Sequence, residues 1–272
     1  MTGATPPVPT NPTALAAAPA AAAAPAAAPK LAGVLWDLDG TVVDSEPAWF
    51  AAETALVERH GGAWSGEQAM RLIGSDLTHT AQVLQRAGVR LETKELVNAL
   101  LEMVAEQVMA TRPWRPGVLD ALAECRAAGL RSALVSMSWR RFTTAVAGLA
   151  PGMFEVVVSG DDVRRGKPDP EAYLLGVAKL GLSRAECVAV EDSPTGVASA
   201  LAAGLATVAV PNPVMGGAPT EPITPAPGLT ILGSTAQITV ELLRRVHLET
   251  QAAARRTAGI CPETSTSRRA AL

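Results

Sequence analysis

The chain has 272 residues, of which 48% are hydrophobic and 18% are charged, and its formal net charge is −3 at pH 7. A net charge so close to zero provides no general attraction to nucleic acid or to an anionic membrane, so neither is expected as a partner. No apolar run approaches the ~18 residues that a membrane-spanning helix needs, and the three cysteines have neither metal-binding nor redox spacing, which favours a reducing cytoplasm as the location.

Residues 1–29 consist almost entirely of alanine, proline and threonine. Proline recurs too often for a continuous helix, and this composition cannot form a core, so we expect a disordered tail. A signal peptide is not predicted, because no basic residues precede the alanines and prolines interrupt the apolar stretch.

The first predicted strand covers residues 30–36 and ends at two aspartates, Asp37 and Asp39, which are followed by Gly40. Alternate residues on a strand point to the same face, so the two carboxylates can approach one small volume. Two carboxylates so close repel each other unless a cation lies between them or one of them carries a proton. Taken alone, this stretch is equally typical of an ordinary turn after a strand.

Residues 46–115 show helical patterns and no strand-like run. Helices are predicted at 47–60, 77–87 and 93–109, and the segment 65–68 has the residue types of a capping box. We therefore predict an all-helical cap domain that is inserted directly after the first strand.

From residue 116 to residue 250, strands alternate with helices. Strands are predicted at 131–136, 155–159, 187–190, 205–210 and 229–232, and a last helix at 235–250. Alternation of this kind is typical of right-handed βαβ units. Residues 30–45 and 116–250 are thus predicted to form an α/β core, a Rossmann-like parallel sheet flanked by helices, and residues 251–272 are predicted to form a disordered tail.

Polar side chains follow the predicted strands. These residues are Asp37 and Asp39 after the first strand, Ser136 and Ser138 after the second, Lys167 beyond the third, and Glu191 and Asp192 after the fourth. Ligands of an open parallel sheet bind beyond the carboxyl ends of its strands, so these groups are expected at one rim. Carboxylate oxygens suit Mg²⁺, and hydroxyl and ammonium donors suit a phosphate group.

The chemistry that these groups support is phosphoryl transfer. Asp37, Asp192 and the backbone carbonyl of Asp39 would suffice to hold the ion, while Ser136 and Lys167 can donate to phosphate. A carboxylate such as Asp37 can act as a nucleophile and form an aspartyl-phosphate. A second acid such as Asp39 can protonate the leaving oxygen and then activate water.

Four motifs occur in a characteristic order: Asp-x-Asp-Gly-Thr, a serine after the second strand, Gly-Lys-Pro-Asp-Pro, and Glu-Asp-Ser-Pro-x-Gly. This order resembles the haloacid dehalogenase-like hydrolase superfamily, and the resemblance covers residues 30–212. The helical insertion is similar to that of the subgroup with small helical caps, which contains phosphoglycolate phosphatases, sugar-phosphate phosphatases and β-phosphoglucomutase.

The resemblance implies roles for the acidic residues. Asp37 would be the nucleophile and a magnesium ligand. Asp39 would be the general acid and base, and would also give its backbone carbonyl to the ion. Asp192 would be the third ligand, and Glu191 would lie beside the ion or reach it through water.

The resemblance also implies contacts to the phosphate group. Ser136 and Lys167 would bind it, and Lys167 would also hold the nucleophile in its ionised form. Ser138 suits a substrate contact as well as an N-cap of the next helix. Arg140 is a candidate for a further substrate contact.

Other polar residues near the motifs are assigned structural roles. Ser193 is expected to cap the following helix, and Asp44 to act in the hinge or the helix start as readily as in catalysis. The histidines His60, His79 and His247 are expected at surface positions of helices.

The sequence departs from the mutase branch of the subgroup. β-Phosphoglucomutases that resemble this chain carry a basic cap residue for the second phosphate, at the position of Leu77. They usually have a Lys-Asn pair after the serine, where this chain has Trp139-Arg140, and Thr41 is more typical of phosphatases. We therefore predict Mg²⁺-dependent hydrolysis of a small phosphomonoester, such as a sugar phosphate or phosphoglycolate.

Three alternatives stay open: a β-phosphoglucomutase-like mutase, a dehalogenase that needs no metal, and a non-catalytic phosphate-binding protein with the same fold. Asp39 and Asp192 argue against the dehalogenase, since they complete a set of oxygen ligands. The intact second acid argues against a binding protein. The substrate and the oligomeric state are not predicted by the sequence, and a monomer is the simplest expectation.

Overall fold

The computed structural model describes residues 29–73, 75–213 and 222–259. The predicted N-terminal tail, except for its last residue, lies outside the described residues, and so does the part of the predicted C-terminal tail after residue 259. In the described part of the chain, no helix is both long enough and apolar enough to cross a membrane.

A parallel sheet forms the centre of the described structure, with the strand order β3-β2-β1-β4-β5-β6. Its strands are β1 (Gly33–Trp36), β2 (Arg131–Val135), β3 (Val156–Val158), β4 (Cys187–Glu191), β5 (Ala206–Ala209) and β6 (Leu229–Ile231). The central strands β1, β4 and β5 are buried along their whole length, as expected for a parallel sheet covered on both faces. Every predicted strand is present, and the predicted α/β fold is confirmed.

Helices α1 to α4 follow β1 before the chain returns to the sheet. They are α1 (Glu46–Arg59), α2 (Gly66–Met70), α3 (Leu77–Arg86) and α4 (Thr93–Thr111). The predicted capping box at the start of α2 is present, since the Ser65 and Gln68 side chains bond each other's backbone N–H. We call the segment 46–111 the helical insertion.

The remaining helices cover the two faces of the sheet. They are α5 (Val118–Ala127), α6 (Arg140–Gly148), α7 (Glu171–Lys179), α8 (Pro194–Ala202) and α9 (Val240–Gly259). The last helix was predicted at 235–250, and this was wrong at both ends. Residues Thr235–Gln237 form a 3₁₀ turn, and α9 runs on through residues 252–256, where three alanines and two arginines favour a helix.

His247 is buried on α9 and not on the surface, with 1% of its area exposed. Its Nε2 lies 2.7 Å from the carbonyl oxygen of Ala185, so the ring fixes α9 to the loop before β4. The sequence prediction for this histidine was wrong, because the loop that it contacts is distant in sequence.

The two connections between the sheet and the helical insertion run side by side. Asp44 N donates to Pro113 O at 2.8 Å, and Arg115 N donates to Val42 O at 3.0 Å. At the end of α4, Arg112 has a left-handed backbone with φ 46°. The insertion therefore joins the core through a short paired segment, located next to the carboxyl end of β1.

The strand register determines which residues meet at that end of the sheet. Trp36 is paired with Leu134 of β2 and with Val190 of β4. The residues that follow these positions therefore leave the sheet at the same level. Asp37 N still donates to Val190 O at 3.0 Å, which fixes the backbone of Asp37 beside the end of β4.

Close packing of α7 on the sheet depends on Gly176. A Cβ atom at this position would lie 2.8 Å from Leu35 Cδ2 and 3.2 Å from Val135 Cγ2. We expect Gly176→Val to lower the free energy of unfolding by roughly 1–3 kcal/mol through overpacking, measured by urea denaturation.

Gly148→Ala is the matched control, because no atom lies within 4 Å of a Cβ at this exposed end of α6. It should be neutral or slightly stabilising. Equal stability of Gly176→Val and wild type would show that α7 has room to move away from the sheet.

Candidate active site

The ammonium group of Lys167 lies at the carboxyl end of the sheet, between the ends of β1 and β4. Its Nζ donates to Asp37 Oδ1 at 2.6 Å, to Glu191 Oε1 at 2.7 Å and to Val135 O at 3.0 Å. Burial opposes the charge of Lys167, but the carboxylates of Asp37 and Glu191 raise its pKa above the ordinary value. Lys167 is therefore a charged donor at neutral pH.

Glu191 is fully buried and is hydrogen-bonded through both oxygens. Oε1 accepts from Lys167 and from the Tyr173 hydroxyl, the latter at 2.6 Å, and Oε2 accepts from Asp192 N at 3.2 Å. A Cβ at position 196 would lie 2.0 Å from this carboxylate, so the glycine of the Glu-Asp-Ser-Pro-x-Gly motif makes room for it. Tyr173 was not predicted from the sequence, because it lies outside the four motifs.

Three acidic side chains come together beside Lys167. Asp37, Glu191 and Asp192 each offer an oxygen within 4.8 Å of the other two. Burial and the Glu191 carboxylate raise the pKa of Asp37 to about 7, and burial and Asp37 raise the pKa of Asp192 well above its usual range. These shifts reflect three carboxylates that a single ammonium group does not neutralise.

The acidic group fits a divalent cation. Asp37 Oδ2 is buried and has no hydrogen-bond partner among the described residues. Gly40, at φ +88°, brings the backbone close to Asp192, since a Cβ there would lie 2.0 Å from Asp192 Oδ2. A hard cation with oxygen ligands would satisfy the unpartnered oxygen and offset the excess negative charge.

Asp39 lies at the junction between the core and the helical insertion. Its Oδ1 accepts from Ser45 Oγ at 2.7 Å and from Trp49 Nε1 at 3.3 Å. Its Oδ2 accepts from Ser138 Oγ at 2.8 Å and from Ser136 Oγ at 3.0 Å. Four donors from two parts of the chain thus fix this carboxylate, and the predicted role of Ser136 in phosphate binding stays a prediction.

A cleft opens above these groups. From the core it is lined by Asp37, Asp39, Met137, Ser138, Lys167, Asp192, Ser193, Thr195 and Gly196. From the insertion and its loops it is lined by Glu46, Trp49, Phe50, Glu53, Ala69, Leu72, Ile73, Ser75, Leu77 and Thr80. The cleft therefore lies between the sheet rim and the insertion, with the acidic group and Lys167 at its core end.

Two buried glutamates of α1 belong to the insertion wall. Glu46 is 7% exposed, and burial together with the Asp39 and Glu53 carboxylates raises its pKa to about 8. Glu53 is 3% exposed, and burial raises its pKa to about 7, although Trp64 Nε1 donates to it at 3.2 Å. Sequence reasoning missed both residues. The available signal was their spacing, which places them two helical turns apart on one face.

Several predicted residues lie where their structural roles require. Ser193 Oγ accepts from Gly196 N at 3.0 Å, which is the expected N-cap of α8. Asp44 Oδ1 accepts from Asn212 Nδ2 at 3.4 Å beside the hinge.

Arg140 does not line the cleft, because its guanidinium forms an ion pair with Asp162. The expected substrate contact of Arg140 therefore gains no support.

Comparisons with known proteins agree with this geometry. The family model described as "Haloacid dehalogenase-like hydrolase" matches residues 34–210. The chain is 40% identical over 192 residues to hexitol phosphatase A of Escherichia coli (strain K12), covering 66% of this chain and 83% of that protein. It is 31% identical over 180 residues to a phosphorylated carbohydrates phosphatase of Thermotoga maritima, covering 63% of this chain and 81% of that protein.

Solved structures share the fold. CbbY from Rhodobacter sphaeroides in complex with phosphate superposes with a TM-score of 0.70 at 25% identity, covering 78% of this chain and 99% of that chain. β-Phosphoglucomutase from Clostridium difficile superposes with a TM-score of 0.66 at 17% identity, covering 80% of this chain and 98% of that chain. The second likeness concerns the fold alone.

The raised pKa of Glu53 predicts a pH-dependent stability. The folded protein holds the proton up to about pH 7, whereas the unfolded chain releases it near 4.5, so burial of Glu53 costs more as pH rises through this interval. Glu53→Gln should therefore be more stable than wild type, and its advantage should grow by roughly 2–3 kcal/mol between pH 5 and pH 8.

The measurement is urea denaturation of both proteins at the two pH values. Glu58→Gln serves as the control, because Glu58 is exposed on the same helix and its removal should give no such trend. A stability difference between Glu53→Gln and wild type that does not change with pH would contradict the assignment of a buried, protonated Glu53.

Proposed function

This chain belongs to the haloacid dehalogenase-like hydrolase family, and we propose that it is a Mg²⁺-dependent phosphatase of a small phosphomonoester, with a sugar or polyol phosphate as the substrate. The observation that carries the proposal is the contact of Lys167 with Asp37 and Glu191 beside the acidic group at the core end of the cleft. Two of its relatives, a hexitol phosphatase and a phosphorylated carbohydrates phosphatase, support the substrate class by their names.

Asp37 is the proposed nucleophile. One of its oxygens is held by Lys167, and the other is buried without a partner among the described residues. A carboxylate oxygen of Asp37 would attack the phosphorus atom, the bond to the leaving oxygen would break, and an aspartyl-phosphate would form. Water would then hydrolyse this intermediate and release phosphate.

Asp37, Asp192 and the backbone carbonyl of Asp39 would hold the magnesium ion. When bound, the ion supplies positive charge that offsets the charge of the phosphoryl group and of the carboxylates. Glu191 takes a supporting role in this proposal, since Lys167, Tyr173 and the Asp192 backbone already occupy both of its oxygens.

Asp39 is the proposed general acid and base. The hydrogen bonds that it accepts from Ser45, Trp49, Ser136 and Ser138 fix the position of its carboxylate. Trp49 belongs to the insertion and Ser45 directly precedes it, so a shift of the insertion would alter their hydrogen bonds to Asp39. We propose that residues 46–115 act as a cap on the core formed by 30–45 and 116–250, and that closure of the cap brings the Asp39 carboxylate into position for catalysis.

The cap wall does not favour a mutase. A mutase must hold a second phosphate, and among the described residues of the insertion that line the cleft there is no Lys or Arg. The resemblance predicts that a mutase has a basic residue at the position of Leu77. This chain has an apolar side chain there, and it lines the cleft.

The proposed setting is the cytoplasm, where the enzyme would act as a monomer on a phosphorylated metabolite. Cys125 and Cys187 are buried free thiols, as expected in a reducing compartment.

Phosphate release from a panel of phosphomonoesters tests the proposal. The panel includes sorbitol 6-phosphate, phosphoglycolate, p-nitrophenyl phosphate and β-glucose 1-phosphate, the last with a readout for glucose 6-phosphate. We expect phosphate release with Mg²⁺ and its loss with EDTA. Glucose 6-phosphate without free phosphate would replace the phosphatase by a mutase, and activity that resists EDTA would remove the metal from the proposal.

Replacement of the nucleophile tests the mechanism. Asp37→Asn should lower kcat by at least about 10⁴-fold, because the aspartyl-phosphate cannot form. The matched control is Asp120→Asn on the exposed side of α5, which should retain full activity. Turnover by Asp37→Asn at the wild-type rate, with an unchanged melting temperature, would show that another group attacks the phosphorus.

A further inference from the structure

The insertion wall of the cleft has an acidic side and an apolar side. Glu46 and Glu53 lie on one face of α1, and both line the cleft. Leu72, Ile73 and Leu77 line the cleft from the segments that follow. A wall that combines buried carboxylates with apolar side chains suits a ligand with many hydroxyl groups, whose C–H faces pack on the apolar side.

Glu53 lies farther from the catalytic carboxylates than Glu46. The charges of Asp37, Asp39 and Asp44 all act on the pKa of Glu46, whereas the pKa of Glu53 is raised by burial alone, against the hydrogen bond from Trp64. The two glutamates thus follow the cleft from the phosphate end toward its far end, over a helix rise of about 10 Å.

These carboxylates are open to a ligand. No described residue donates a hydrogen bond to the Glu46 carboxylate, although this residue is only 7% exposed. Trp64 is the one described donor to Glu53, and it contacts Oε2. A carboxyl group with unused hydrogen-bonding capacity costs free energy unless water or a ligand supplies partners, and a ligand in this cleft would take the place of the water.

We propose that Glu53, with Glu46, is the specificity-determining residue for the leaving group, that it binds hydroxyl groups at the far end of a neutral polyol phosphate, and that it rejects a second anionic group there. This inference rests on the proposed function, because it names the class of substrate that the same site would hydrolyse.

Charge explains the rejection. Lys167 is the one Lys or Arg side chain among the described residues that line the cleft, and it already contacts Asp37 and Glu191. Above about pH 7, where Glu53 has passed its raised pKa and is ionised, a second phosphate or a carboxylate next to it would be buried without a counter-charge, beside another negative group. A hydroxyl group avoids the cost of burying a second charge, because it carries no charge and donates a hydrogen bond to the carboxylate.

A ratio of specificities tests the proposal. We measure kcat/KM for sorbitol 6-phosphate and for p-nitrophenyl phosphate, which has no hydroxyl chain, with wild type and Glu53→Gln. Loss of hydrogen bonds to a charged group should lower the ratio of the first to the second by about tenfold or more. Glu58→Gln, at an exposed position of α1, should keep the wild-type ratio.

A second ratio tests the rejection of charge. Wild type should hydrolyse fructose 6-phosphate at least about tenfold more efficiently than fructose 1,6-bisphosphate, and Glu53→Lys should narrow this difference. An unchanged polyol ratio in Glu53→Gln, an equal loss on both esters, or equal hydrolysis of the two fructose phosphates by wild type would overturn the inference.

Failure of the proposed function would give a different result. If wild type released phosphate from no ester, the phosphatase would be excluded, but binding would still decide the role of Glu53. Calorimetry of sorbitol 6-phosphate with Asp37→Asn and with Asp37→Asn/Glu53→Gln should show about tenfold weaker binding for the second protein. Equal affinities would overturn the inference independently of turnover.

Discussion

Lys167 places its ammonium group between the carboxylates of Asp37 and Glu191, at 2.6 and 2.7 Å, and the rest of the site depends on this contact. A buried charge is tolerated only when it is paired and hydrogen-bonded. Lys167 provides a positive charge to both carboxylates, and they neutralise its charge in return. The pairing of β1 with β4 brings the two acids to the same level, and Gly196 leaves the space that Glu191 occupies. With Asp192 beside them, the group retains an excess of negative charge, which is why a cation fits it.

The residues of this group could be predicted because their positions follow from the sheet alone. Asp37 and Glu191 end neighbouring parallel strands, and the rule for open sheets brings such ends together without knowledge of the loops. The partners of Asp39 could not be predicted in the same way. Trp49 contacts Asp39 because of how α1 packs on the core. This tertiary packing does not follow from the helical pattern of the sequence.

Tertiary packing also explains most of the other differences between the sequence predictions and the structure. Tyr173 and Glu53 are on helices, and a helical pattern tells which face is apolar but not which element it meets. His247 was predicted at the surface because the sequence does not show that the loop at Ala185 packs against it. The end of α9 was missed because its last turns are rich in charge, although alanine and arginine favour helix wherever they occur.

With the proposed ion bound, the two ends of the cleft would differ in charge, and this difference would determine what each can bind. At the core end, Lys167 and the proposed ion would attract the phosphoryl group. At the far end, Glu53 is buried with a pKa near 7, so in the absence of ligand it weakens the fold at and above neutral pH. A neutral or apolar residue at this position would avoid the cost, as would an exposed glutamate. The carboxyl group instead faces the cleft with one described donor, so in this proposal a ligand that brings hydroxyl groups to it offsets part of the cost. In this proposal, substrate selection and the pH dependence of stability have one physical cause, which is the burial of the Glu53 carboxyl group on the wall of the cleft.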